Sequence, residues 1–104
     1  MQDFILAQGE QIAELCRMHH VRRLSIFGSA ARDDLDPSTS DVDIIVDFDL
    51  NEIPTGTHSD NKWTFHDELV RSFGRTVDLL TWESIRNKYL LREIQQSHET
   101  LYAA

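Results

Sequence analysis

The segment Asp41-Val42-Asp43-Ile44-Ile45-Val46-Asp47-Phe48-Asp49 limits the fold of this chain more than any other stretch. Read as a strand over Val42–Phe48, it sends successive side chains to opposite faces. Val42, Ile44, Val46 and Phe48 share one face, which has to be core. Asp41, Asp43, Ile45, Asp47 and Asp49 share the other. That second face begins with two carboxylates ~7 Å apart along the strand and pointing the same way. Two readings of the acids follow. An antiparallel strand can leave one face in water, where acidic residues need no function. Alternatively, Asp41 and Asp43 hold a divalent cation: Mg²⁺ takes oxygen ligands and is usually held by one or two carboxylates plus substrate phosphates. Two like charges held close also favour a cation between them. Asp47 and Asp49 lie further along and read as surface residues.

The rest of the chain alternates helix with strand. Ile5, Ile12, Leu15, Cys16 and His19 fall at helical spacing between Phe4 and about His20. Arg22–Phe27 reads as a strand stopped by Gly28. Ala30 to about Leu35 reads as a short helix with Ser29 as N-cap, and Asp36–Ser40 as a loop. Leu50 to about Lys62 is the one long loop. Trp63–Phe73 is helical with Phe65, Leu69, Val70 and Phe73 on one face, and Gly74 is placed to cap it. Thr76–Thr81 is a third strand. Ser84 starts a last helix through Gln96, with Ile85, Tyr89 and Ile94 turned inward. The class is α/β with a small sheet, and 104 residues suit one domain over residues 1–104.

Gly28 and Ser29 stand at a strand-to-helix junction. Glycine permits a tight turn and close backbone approach. The free N–H groups of a following helix make an anion site, to which the Ser29 hydroxyl adds a donor. A lone Gly-Ser is usually only a turn. Followed by a loop and Asp-x-Asp on a second strand, it places a phosphate cradle opposite a metal site.

Charge bears on the ligand. Ten Lys+Arg against 18 Asp+Glu leave a net charge of −8, which argues against binding nucleic acid by general phosphate attraction. A phosphate-rich ligand then needs positive charge from elsewhere, and a divalent metal is the natural source. One cysteine, Cys16, excludes an internal disulfide and suits a reducing cytosol. No apolar run approaches the ~20 residues of a membrane-spanning helix. A soluble cytoplasmic protein is expected.

The residues "GSAAR", then "DVDIIVDF", resemble the DNA polymerase beta nucleotidyltransferase superfamily. More narrowly, they resemble the minimal nucleotidyltransferases, or MNT proteins, encoded beside HEPN-domain partners as toxin–antitoxin pairs. The likeness extends over nearly the whole chain through the order helix, strand, Gly-Ser turn, Asp-x-Asp strand, helix, third-Asp strand, helix. It implies a small mixed sheet flanked by helices. It also implies that Gly28 and Ser29 hold the phosphates of an incoming nucleotide and that Arg32 contacts a phosphate or the partner. It implies that Asp41, Asp43 and Asp78 (in "TVDLL") bind two Mg²⁺ ions. Asp78 would also assist deprotonation of the attacking hydroxyl. Asp33 stands where many relatives have Gly, making the loop unusually acidic.

The resemblance further implies a reaction: a hydroxyl attacks the α-phosphate of ATP and pyrophosphate leaves. The acceptor would be a tyrosine on a HEPN RNase toxin, silenced by AMP addition. With one helix expected after the third strand, the site would be open for another protein to complete. Two alternatives stand beside this: an antitoxin that acts by contact alone with a vestigial site, and a nucleotidyltransferase for a small molecule or RNA. Arg17, His19, His20, Arg22 and Arg23 suit a helix C-terminus or a contact with the partner or its RNA. Trp63, Phe65 and Phe73 read as core. His58, His66 and His98 are scattered and make no zinc site. Tyr89, Leu90, Leu91, Leu101 and Tyr102, assigned to the last helix, exceed one apolar face and suggest a homo- or hetero-oligomer surface.

Overall fold

The computed structural model describes residues 3–28 and 41–104. Ser29 as N-cap, the helix over Ala30–Leu35, the loop Asp36–Ser40, Arg32 and Asp33 lie outside the described residues.

Among the described residues four α-helices and four strands run in the order α1 (Asp3–Leu6), α2 (Gly9–Met18), β1 (Val21–Ile26), β2 (Val42–Phe48), α3 (His58–Phe73), β3 (Val77–Thr81), α4 (Lys88–Ser97) and β4 (Glu99–Ala103). The sheet order is β3-β2-β1-β4. β1 is antiparallel to both β2 and β4, and β2 is parallel to β3. The sheet is therefore mixed, with β3 and β4 at its edges.

Strand alternation in β2 holds. Val42, Ile44 and Val46 are fully buried and Phe48 nearly so. They join Leu24 and Ile26 of β1, Val77 and Leu79 of β3, Ile5, Ile12 and Cys16 below α1 and α2, and Phe65, Leu69 and Phe73 of α3. Burial pushes the Cys16 thiol up to about 12, so it is an inert core residue. The opposite face is only partly open. Ile45 is buried there with Phe27 and with Ile94 of α4, so α4 packs on the middle of the acidic face.

Four sequence expectations change, each for a local reason. The first helix breaks at Ala7-Gln8, where the Gln8 N–H turns back to the Ile5 carbonyl and Gly9, a poor helix former, begins α2. α3 starts at His58, not Trp63. A turn closed by the Thr57 N–H on the Pro54 carbonyl leads into it, and His58-Ser59-Asp60-Asn61-Lys62 are its polar first turns rather than loop. Asn87, not Ser84, caps α4, accepting from the Tyr89 and Leu90 amides at 2.9 and 3.3 Å. The Ser84 hydroxyl instead donates to the Thr81 carbonyl within a short 3-10 turn. Last, Leu101 and Tyr102 belong to no helix: they lie on β4, which covers the outer edge of β1.

Gly74 caps α3 as expected, in the left-handed region with its N–H on the Val70 carbonyl. Tyr89 is 72% exposed and Trp63 is 56% exposed, so neither is core. No helix among the described residues is long and apolar enough to cross a membrane.

The basic cluster divides. Arg17 pairs with Glu14 on its own helix, Arg22 lies 3.6 Å from Asp49, and Arg23 stands across from Asp47 in register. Asp47 and Asp49 are thus surface residues with cationic neighbours. His19, however, is buried, edge-on to Phe65 at 5.4 Å, and its Nε2 has no hydrogen-bond partner among the described residues. Burial lowers its pKa, so it serves as a neutral core residue and not as a cation on the helix dipole. Its folded pKa lies below the unfolded value of about 6.5. The unfolded chain therefore takes up a proton first, and stability falls as pH drops below about 6.5. His19→Phe should flatten that part of the urea-midpoint profile between pH 7 and pH 5. An unchanged slope would assign the acid sensitivity to other groups.

Candidate active site

The site is built where β1 ends and β2 begins. The Phe27 N–H donates to the Asp43 carbonyl at 3.1 Å, which carries the β1–β2 ladder one residue past Ile26↔Ile44. Gly28 therefore arrives directly beside Asp43. Its φ is +64°, and a Cβ placed on it would stand 2.8 Å from Asp43 Oδ2. The glycine is thus needed twice, for the left-handed turn and for the space the carboxylate occupies.

The parallel register of β2 and β3 sets Asp43 opposite Asp78, with Val42 opposite Val77 and Ile44 opposite Leu79. Residues in register share a face, so the two carboxylates project side by side from strands ~4.8 Å apart. Asp43 is half-buried, while Asp78 and Asp41 are exposed, Asp41 just ahead of β2. The Val42 N–H bonds the Thr76 carbonyl at 3.0 Å, which fixes the start of β2 against β3. Gly28, Asp43 and Asp78, 50 residues apart in sequence from first to last, are thereby brought together. Ser29 and Arg32 fall outside the described residues.

This donor set suits a hard divalent cation, since it is all oxygen and like charges gain from a cation between them. Among the described residues no three acidic, His or Cys side chains already converge on one point.

One residue near the site was not legible in the sequence. His66 of α3, grouped there with the scattered histidines, places Nε2 2.8 Å from the Val77 carbonyl, one peptide ahead of Asp78. The bond spans two elements, and no local spacing signals it.

A mixed four-stranded sheet carrying a glycine turn against one of two paired acids is the polymerase-beta-like nucleotidyltransferase arrangement. Residues 9–101 match the nucleotidyltransferase domain family, and the chain belongs to it. It is 32% identical over 94 residues to a Methanocaldococcus jannaschii protein provisionally described as a protein adenylyltransferase; the match spans 83% of this chain and 90% of that one. Among solved structures, a toxin–antitoxin with AMP-PNP aligns with a TM-score of 0.69 at 19% identity, over 92% of this chain and 73% of the other. The complex of a tri-AMPylated Shewanella oneidensis HEPN toxin with its MNT antitoxin aligns with a TM-score of 0.64 at 18% identity, over 96% and 73%. The chain is thus a nucleotidyltransferase by family, and it shares its fold with these chains.

Proposed function

We propose that this protein is a Mg²⁺-dependent adenylyltransferase and an antitoxin, cytoplasmic, with one domain over residues 1–104. It transfers AMP from ATP to a tyrosine of a HEPN-domain RNase toxin and so neutralises it. The observation that carries the reading is the in-register pair Asp43 and Asp78 with Gly28 closed against Asp43. The described name of the M. jannaschii relative and the AMPylated toxin in the S. oneidensis complex support AMP as the group and a HEPN protein as the acceptor.

In this reading Asp41, Asp43 and Asp78 hold the metal, and Gly28, Ser29 and Arg32 hold the nucleotide phosphates. When bound, Mg²⁺ supplies Lewis-acid stabilisation of charge on the phosphate oxygens. The chain itself aligns the partners. Gly28 lets the turn pass directly against the Asp43 carboxylate, and Asp78 lies on the outermost strand of this side, where an acceptor hydroxyl can approach and pass on its proton. Alignment of this kind does much of the work in phosphoryl chemistry.

The deciding experiment is intact-mass measurement of the HEPN partner after co-expression with this chain. AMP-sized additions, mapped to tyrosine by tandem mass spectrometry, are the expected result. An unmodified partner that is nonetheless silenced would mean neutralisation by contact alone.

A further inference from the structure

We propose that His66 is a positioning residue for Asp78, holding the Val77–Asp78 peptide from the open side of the sheet. The proposal rests on Asp78 serving the transfer reaction described above.

Among the described residues β3 is an edge strand with β2 on one side only. In a parallel pair, alternate residues of a strand turn their backbone groups toward the neighbour. Since the Val42 N–H bonds the Thr76 carbonyl, residues 76, 78 and 80 face β2 and residues 77, 79 and 81 face outward. Val77, 3% exposed, therefore has a carbonyl with no strand to receive it. His66 Nε2 fills that place at 2.8 Å. A carbonyl only accepts, so Nε2 carries a proton, and Nδ1 lies 3.5 Å from Asp67 Oδ1. The side chain is 23% exposed, and Trp63 packs edge-on to it at 5.7 Å.

The Asp78 carboxylate hangs from this peptide. Its plane is fixed by β2 on one side and by the imidazole on the other. Edge strands open more readily than central ones, because half of their backbone groups lack a partner strand. Misplacing a reacting group by about 1 Å can cost ~100-fold in rate. A donor that replaces the missing strand at the residue before Asp78 thus acts on the reaction through Asp78 without touching substrate.

The test compares His66→Leu, which removes the donor, with His66→Gln, which keeps an N–H at the ε position. Amide exchange by NMR should quicken about tenfold at Asp78 and Leu80 in His66→Leu, with β1 amides unchanged, and return to within about threefold of wild type in His66→Gln. With α-labelled ATP and the HEPN partner, kcat should fall about tenfold in His66→Leu at unchanged KM for ATP, and recover in His66→Gln. Unchanged β3 exchange or unchanged kcat in His66→Leu overturns the proposal. So does a uniform quickening across β1 and β3 that His66→Gln does not repair, because that is the mark of a purely structural contact. If the wild-type chain transfers nothing, the adenylyltransferase reading fails, and β3 exchange alone then decides the role of His66.

Discussion

In the proposed reaction, Asp43→Asn is expected to lower AMP transfer to the HEPN partner by about a thousandfold while the protein stays folded. Charge stabilisation at a phosphoryl centre is worth several kcal/mol, and each 1.36 kcal/mol is a factor of ten in rate. Asp43 is the member of the acid set with the most neighbours: Gly28 lies against its carboxylate, its backbone carbonyl accepts from Phe27, and Asp78 stands beside it across the sheet. Converting it to the neutral isostere keeps the shape and removes the charge a cation would bind. The control is Asp47→Asn, on the same face of the same strand but across from Arg23, which should change transfer less than about twofold because it lies further along β2, away from Gly28 and from the Asp43–Asp78 pair. Thermal melts separate binding from folding: Mg²⁺ with ATP should raise the wild-type Tm and leave the Asp43→Asn Tm where it was. Labelling of the partner by Asp43→Asn at the wild-type rate would remove Asp43 from the site.

The parts of this molecule that could be read from its sequence are those where one periodicity decides the outcome. β2 was legible to the residue because apolar and acidic side chains alternate across Val42–Phe48 with a single interruption at Ile45. The core face of α3 was legible from Phe65, Leu69 and Phe73, although its first turns were not. Polar residues there look like loop until Asn61 is seen to donate to the His19 carbonyl at 2.9 Å, a partner 42 residues away. β4 was hidden because five residues following a helix carry too little pattern, and its place is set by β1, whose edge it fills. The same division runs through the site. Asp41 and Asp43 were visible as a spacing on one strand. That Asp78 lies opposite Asp43, and not Asp41, depends on inter-strand register, which no single segment encodes. His19 shows the reverse case: it was placed correctly on the inward face, yet its company of basic residues suggested a charge that burial removes.

Gly28→Ala carries the second large effect, and its comparison with Gly74→Ala isolates the cause. Both glycines sit in the left-handed region, with φ of 64° and 67°. A non-glycine residue there costs about 1–2 kcal/mol, or roughly 5–10 °C of Tm in a domain of this size. Around Gly74 an added Cβ meets nothing within 4 Å, so strain is the whole cost and transfer per folded molecule should be unchanged. At Gly28 the same methyl stands 2.8 Å from Asp43 Oδ2. Either the turn or the carboxylate must move, and both are parts of the site. Gly28→Ala should therefore match or exceed the Tm loss of Gly74→Ala and, in addition, reduce kcat by about a hundredfold, the penalty of a displacement near 1 Å. Measured below both melting temperatures, the two variants are equally folded, so a difference in kcat reports the methyl–carboxylate clash alone. Equal kcat in the two would mean that Asp43 has room to shift without loss, and that the glycine serves only the turn.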